Sequence, residues 1–341
     1  MRWKGCAAVR RIRPSGVIER RSLAALLLAL PGAGQAQGAD PLPSWREGPR
    51  KRVLLDFVAT VTREGGSGYV PPAERIAVFD NDGTLCVEQP AYPQLIFILD
   101  RIRALAPQNP TWQQDAVLRA AIAGDLHGAM AGGHEGLMRL AGAAMAGDTP
   151  EAFQQIAADW LKTARHPRWN RPFTALVYQP MLVVLRFFRA SGFTNFIVSG
   201  GGIEFVRALA EETYGIPPQH VVGSSFALKV TEDAGRLTLL REPRVDFIDD
   251  GPGKPIGIAR DIGRRPIAAF GNSDVDFEML RYTTEGSGQR FGMIIRHDDA
   301  EREFAYDRES HVGRLARALD AAPAQSWQVV SMREDWAREF E

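Results

Sequence analysis

The stretch Ile76-Ala77-Val78-Phe79 is wholly apolar, is bounded by turn-forming residues, and runs directly into Asp80-Asn81-Asp82-Gly83-Thr84. A short apolar run without alternation suits a strand buried on both faces, which demands a sheet covered above and below. Two carboxylates and a glycine then stand at the carboxyl end of that strand, where open α/β sheets gather their ligands. Acids separated by one residue can divide labour, one attacking as a nucleophile and the other moving protons. Gly83 would let the backbone turn tightly beside a ligand. An ordinary Asp-rich turn is the competing reading of this segment taken alone.

The rest of the chain supplies what such a strand needs. Apolar spacing predicts a helix over 45–63, a second over 180–190 and a third over 203–213, with strands at 193–198, 220–222, 266–270 and 291–295. Two further strands, 226–230 and 237–240, read as a hairpin. Strands alternating with helices imply a parallel sheet with helices on both faces, a Rossmann-like α/β core. Residues 94–165 break that alternation, being rich in Ala, Leu, Met, Gly and Gln and reading as helix without strands, with breaks near 107–110, 132–133 and 148–150, an insertion into the core. Within it Thr149, Pro150 and Glu151 have the order of a helix start. The division expected is a leader over 1–36, a linker and helix over 37–73, a core formed by 74–93 and 178–341, and a helical cap over 94–177.

Arginines at 10, 11, 13, 20 and 21 precede the apolar stretch Leu23 to Leu30 and a run of small residues to Ala36, the order of a cleavable signal peptide. The stretch is short of the ~20 residues that span a bilayer, so export to the periplasm or the exterior is expected without a stable membrane anchor. Arg20-Arg21 leaves a twin-arginine route open. Of the two cysteines, Cys6 lies in the leader, so a mature chain keeps Cys86 alone and no internal disulfide. The histidines lack zinc-like spacing. Lys plus Arg and Asp plus Glu are equal at 41 each, which offers nothing to a nucleic-acid partner.

Three later segments also place polar groups at strand ends or helix starts: Ser199 with Gly200-Gly201-Gly202, Lys254 in Gly253-Lys254-Pro255, and Gly271-Asn272-Ser273-Asp274-Val275-Asp276. Ile197 stands where a serine-hydrolase elbow needs glycine, which removes that chemistry. In this order, the segments resemble the four motifs of the haloacid dehalogenase-like superfamily of phosphohydrolases, over residues 74–296. The helical insertion resembles the cap of its phosphoserine phosphatase-like branch.

The resemblance implies a magnesium-dependent phosphatase acting on a small-molecule phosphate monoester. Asp80 would be the nucleophile, Asp82 the general acid and base, and the main-chain carbonyl of Asp82 a magnesium ligand. Ser199 and Gly200 would bond the phosphoryl oxygens, and Lys254 would offset their charge; Lys229, within the hairpin, is the less suitable cation. Asn272 stands where the superfamily has its first acid, so the metal set is Asp80, Asp82, Asn272 and Asp276, with Asp274 as an alternative that turns inward. Glu88 is placed like an acid that meets a substrate amine, or is an exposed hinge residue. Arg165, His166, Arg168 and Trp169 could read an anionic or aromatic substrate or form a solvated strip. A phosphotransferase, or a secreted binding protein without turnover, are the alternatives.

Overall fold

The computed structural model describes residues 40–341, so the expected leader with Cys6 and Arg20-Arg21 lies outside the described residues. Helix α1 (Pro49–Thr62) starts four residues later than its periodicity suggests, because Pro49 can begin a helix but not sit inside one. Trp45 is instead buried in an isolated bridge with Trp336, its indole N–H donating to the carbonyl of Pro180 at 2.9 Å.

Strand β1 (Ile76–Phe79) is buried along its whole length, and its residues alternate between two cores. Ala77 and Phe79 join one apolar cluster, Ile76 and Val78 the other, on opposite faces of the sheet. Phe79 stacks on Phe270 with centroids 4.5 Å apart, and each fully buried aromatic of this kind contributes roughly 1.5–3 kcal/mol through area removed from water. The unalternating apolar run is therefore explained by burial on both sides.

The helical block follows: α2 (Pro93–Leu105), α3 (Ala116–Ala123), α4 (Leu126–Met130), α5 (Gly133–Met145) and α6 (Pro150–Thr163). Its breaks have local causes. Asp115 and Asp125 cap α3 and α4, Gly124 takes a left-handed φ of 77° between them, and Thr149 Oγ1 accepts the Ala152 amide at the start of α6.

Helix α7 (Gln179–Ala190) returns the chain to β2 (Thr194–Gly202), which pairs parallel with β1; α8 (Ile203–Leu209) then leads to β3. Three expected strands prove to be two long ones. β3 (Val221–Asp233) first pairs parallel with β2 and then antiparallel with β4 (Arg236–Phe247). The Gly223-Ser224-Ser225 step looks like a loop in hydropathy, yet the strand continues through it. A side chain at Gly223 would come within 3.0 Å of the Gly201 carbonyl, so glycine there reflects close packing and not a turn. The hairpin reaches the helical block, where the Arg241 amide donates to Asp148 O at 3.1 Å and the Arg241 carbonyl accepts from the Gly147 amide at 2.9 Å.

Beyond α9 (Gly253–Gly257), strand β5 (Ala268–Gly271) lies on the other side of β1, followed by α10 (Phe277–Thr284), β6 (Phe291–Asp298), β7 (Ala305–Tyr306) and β8 (Gln328–Ser331). The order β4-β3-β2-β1-β5-β6-β7, with β8 also on β6, places β1 where the chain crosses from one half of the sheet to the other. That switch point is where α/β sheets open a crevice. The tail holds a five-residue helix (Arg317–Ala321) and adds β7 and β8 to the sheet edge. No helix among the described residues is long and apolar enough to cross a membrane.

Candidate active site

Three parallel strands deliver the site residues to one place. β1 ends at Asp80, whose amide donates to the Phe270 carbonyl of β5 at 2.9 Å; β2 carries Ser199 near its end; β5 runs into Asn272. Gly83 holds φ at 76°, and a Cβ there would stand 2.1 Å from Asn272 Nδ2 and 2.4 Å from Glu88 Oε1. Both conformation and space require glycine.

Lys254 is fully buried, and its ammonium donates to Asp80 Oδ1 at 2.6 Å, to Asp276 Oδ1 at 2.6 Å and to the Val198 carbonyl at 3.0 Å. Burial favours the neutral amine, but the Asp276 and Asp80 carboxylates outweigh it and hold Lys254 above its ordinary value. Burial, then Asp276, push Asp80 well above the carboxylate range, and Lys254 pulls it back. Asp82 is pushed up to about 6, chiefly by burial, against a hydrogen bond from Asn81. Lys229 is exposed on the hairpin.

Asp276 is fully buried and engaged through both oxygens. Its Oδ2 accepts the amides of Asn272 at 3.0 Å and Ser273 at 3.1 Å and the Ser273 hydroxyl at 3.3 Å, while Oδ1 holds Lys254. The expected metal-ligand position is thus spent on fixing the lysine and capping the turn into α10. Asp274, the alternative, faces away: its Oδ1 accepts the amides of Ala316 and Ala318, both at 2.9 Å, and ties down the tail.

Asn272 is buried, with Oδ1 accepting from Thr84 Oγ1 at 3.0 Å and Nδ2 donating to Glu88 Oε1 at 2.7 Å. Glu88 is only 2% exposed and also accepts from Tyr306 Oη at 2.8 Å, which overturns the reading of it as an exposed hinge. Burial pushes its carboxyl well up. Tyr306, on β7 in the tail, is the neighbour that sequence reasoning left without a role; nothing local marks it, since the contact spans 218 residues of chain. A contact from β6 holds the turn itself, His297 Nε2 donating to the Gly83 carbonyl at 2.8 Å.

Ser199 is 1% exposed, and its Oγ accepts the Gly201 amide at 3.1 Å, leaving the hydroxyl proton available for donation. The glycine run offers fewer free amides than expected, because Gly202 N–H donates to Gln94 Oε1 at 2.7 Å. Asp80, Asp82, Glu88, Ser199 and Gly200 line one cavity of about 280 Å³, roofed by α2 and α5. The Arg165 to Trp169 cluster does not line it. His166 is buried, within 2.7 Å of the Gln89 carbonyl, and Arg168 donates to the carbonyls of Ala300, Glu301 and Glu303 while lying over Trp169 and Phe304. His166, Arg168 and Trp169 join the end of the helical block to the tail, while Arg165 is exposed as a solvated strip would have it. Cys86 is buried, its Sγ 4.0 Å from Asp82 Oδ1, and burial pushes the thiol well up and away from reactivity.

The oxygen donors around Asp80 suit a small hard cation. The Asp80 carboxylate, the Asp82 carbonyl and Asn272 Oδ1 supply oxygens only, and magnesium commonly takes one or two carboxylates and completes its shell with water and substrate. Among the described residues no cluster of three or more His, Cys, Asp or Glu forms a denser alternative.

Asp249, beside this site, is fully buried with neither carboxylate oxygen hydrogen-bonded, and burial pushes it up to about 7. A carboxyl raised in the folded state retains a proton that the unfolded chain releases, so its stabilising balance is complete below the unfolded value near 4 and is lost as pH rises through about 7. The advantage of Asp249→Asn over the parent chain, read as thermal midpoint, is expected to be small near pH 4 and to grow to roughly 3–4 kcal/mol of stability at pH 8. Equal midpoints at pH 8 would show that Asp249 finds a partner in solution.

The family model for haloacid dehalogenase-like hydrolases matches residues 77–281, from β1 to α10, and so takes in Asp80, Asp82, Glu88, Ser199, Lys254, Asn272 and Asp276. No curated protein sequence matches the chain. Among solved structures, a conserved protein of unknown function from Anaerococcus prevotii is 16% identical, with 73% of this chain and 86% of that one covered and a TM-score of 0.48. A protein of unknown function from Bordetella pertussis is 16% identical over 75% of this chain and 98% of its own, with a TM-score of 0.42. A probable phosphoserine phosphatase from Vibrio cholerae is 16% identical over 66% and 57%, with a TM-score of 0.34. On the family match, which spans β1, β2, β5 and the residues at their carboxyl ends, this chain belongs to the haloacid dehalogenase-like hydrolases.

Proposed function

We propose that the protein is a magnesium-dependent phosphomonoesterase that works through a phosphoryl group carried on Asp80. The observation that carries this reading is the buried ammonium of Lys254, 2.6 Å from both Asp80 and Asp276, directly behind a cavity that opens on Asp80, Asp82 and Ser199. Lys254 engages only Oδ1 of Asp80, so Oδ2 is the attacking atom. As it bonds to phosphorus, the ester P–O bond breaks and the departing alcohol oxygen takes the proton of Asp82. A carboxyl at about 6 carries that proton in an appreciable fraction near neutrality. The Asp82 carboxylate then takes a proton from water, the water oxygen bonds to phosphorus, and the Asp80–phosphorus bond breaks, releasing phosphate and restoring Asp80. The Ser199 hydroxyl donates to a phosphoryl oxygen, and the fixed charge of Lys254 offsets the anion where water is scarce.

Asp80, the carbonyl of Asp82 and Asn272 would hold magnesium, which when bound neutralises charge on the phosphoryl oxygens. With an amide in place of one carboxylate, the set carries less charge than two acids would, so a weak, readily chelated site is expected. Phosphate release from a panel of monoesters should require added magnesium and stop with chelator. Release that is indifferent to chelator would refute the metal assignment, and a silent panel from folded protein would leave a binding protein as the reading. Product analysis with added alcohols separates hydrolysis from transfer; mainly transferred phosphate at low alcohol concentration would make the protein a phosphotransferase. The leader expected over residues 1–36 would make it an exported enzyme, with the mature N-terminus as the readout.

A further inference from the structure

The cavity over Asp80 is walled mainly by apolar side chains. Its walls are Leu95 and Ile98 from α2, Met138 and Met145 from α5, and Phe226 and Val245 from the hairpin. The apolar lining continues to the mouth, where Tyr92, Ile248 and Val275 are 37%, 41% and 38% exposed although large and hydrophobic. Exposed apolar side chains gathered around one opening mark a binding surface more often than chance scatter does.

The polar groups of the cavity point to the same conclusion by their sign. Four of the lining residues are acids, Asp80, Asp82, Glu88 and Asp250, and no Lys, Arg or His is among the lining residues described. Lys254, the nearest cation, is sealed behind Asp80 with its ammonium already shared among three acceptors. Of the other cations, Arg101 is committed to Asp148 and the Ala144 carbonyl, and Arg241 is not on the wall but buried over the rings of Phe153 and Phe226, its guanidinium 3.9 Å from Glu204 and without a hydrogen-bond partner. A carboxylate or second phosphate on the organic part of a substrate would therefore be desolvated against apolar side chains, in the field of carboxyl groups and with no counter-charge, which is strongly unfavourable.

We infer that the substrate, on the phosphatase reading above, is a monophosphate ester of an apolar alcohol that carries no second anionic group. Phosphorylated amino acids, nucleotides and sugar bisphosphates are outside this class. At about 280 Å³ the cavity is roughly twice the ~150 Å³ of an apolar cavity that accepts benzene, so beside the phosphate it admits a single ring or a short alkyl chain.

Hexyl phosphate and 6-phosphonooxyhexanoate isolate the effect, because they share chain length and leaving-group chemistry and differ in one terminal carboxylate. Measured on the full chain with magnesium, kcat/KM should favour hexyl phosphate by about 100-fold or more. Met138→Arg, at a half-buried position of the wall, should shrink that ratio about tenfold by giving the carboxylate a partner. Acetyl phosphate, whose organic part is too small to reach the walls, reports the phosphoryl chemistry separately. Equal turnover of the two hexyl esters, preference for the carboxylated one, or cleavage of acetyl phosphate with neither hexyl ester accepted overturns the substrate class alone. Release from none of the three above the spontaneous rate overturns the phosphatase reading and the class with it.

Discussion

Asp80→Asn is expected to reduce phosphate release by about 10⁴-fold or more, the scale of losing a covalent nucleophile. The amide cannot form the phosphoryl bond, yet it has the size of the carboxylate and its oxygen can still accept from Lys254, which keeps its second carboxylate in Asp276. Stability should therefore fall by little, and the variant should stay folded by circular dichroism with a thermal midpoint close to that of the parent. Initial rates on an accepted monoester, taken beside those two measurements, separate chemistry from folding. Near-normal turnover would remove Asp80 from the nucleophile role, and Asp82, one turn of backbone away, would be the next residue to test.

Lys254→Met should damage both activity and fold. Its removal leaves Asp80 and Asp276 facing one another in a dry interior, each having lain 2.6 Å from the same ammonium. Breaking a buried ion pair from one side costs about 3–5 kcal/mol, which for a chain of this size is a fall in midpoint of about 10 °C. The loss has a direction in pH. Without the ammonium the Asp80 carboxyl is pushed higher still when folded, so the folded state binds an extra proton and the deficit should narrow as pH is lowered and widen as it rises. Adding Asp276→Asn to Lys254→Met should recover part of the stability and none of the activity. A single variant with an unchanged midpoint would show that the triad of charges is not what holds α9 against the sheet.

The element pattern was legible where local chemistry and burial agree. β1 could be read because burial on both faces leaves an unalternating apolar run, and the start of α6 because Thr149 caps from its own segment. The strand-turn arrangement at Asp80 to Thr84 was legible for the same reason. Errors arose where backbone pairing overrides side-chain pattern. β3 runs through Gly223-Ser224-Ser225 because the strands beside it supply hydrogen bonds, and Trp45 leaves the helical pattern because Pro49 marks the start and Trp336 offers a partner almost three hundred residues away.

The order of polar segments along the chain, set beside the motifs it resembles, singled out Asp80, Asp82, Ser199, Lys254, Asn272 and Asp276, because each follows a strand or begins a helix and those positions are set locally. What each carboxylate does in the fold could be decided only by tertiary contacts. Asp274 and Asp276 are two residues apart and alike as isolated side chains, yet one caps the tail at Ala316 and Ala318 while the other anchors Lys254. Glu88 is buried because Tyr306 and Asn272 close over it from positions far along the chain. Charge, desolvation and hydrogen bonding act through space, so the identity of these acids was written in the sequence and their surroundings only in the packed structure.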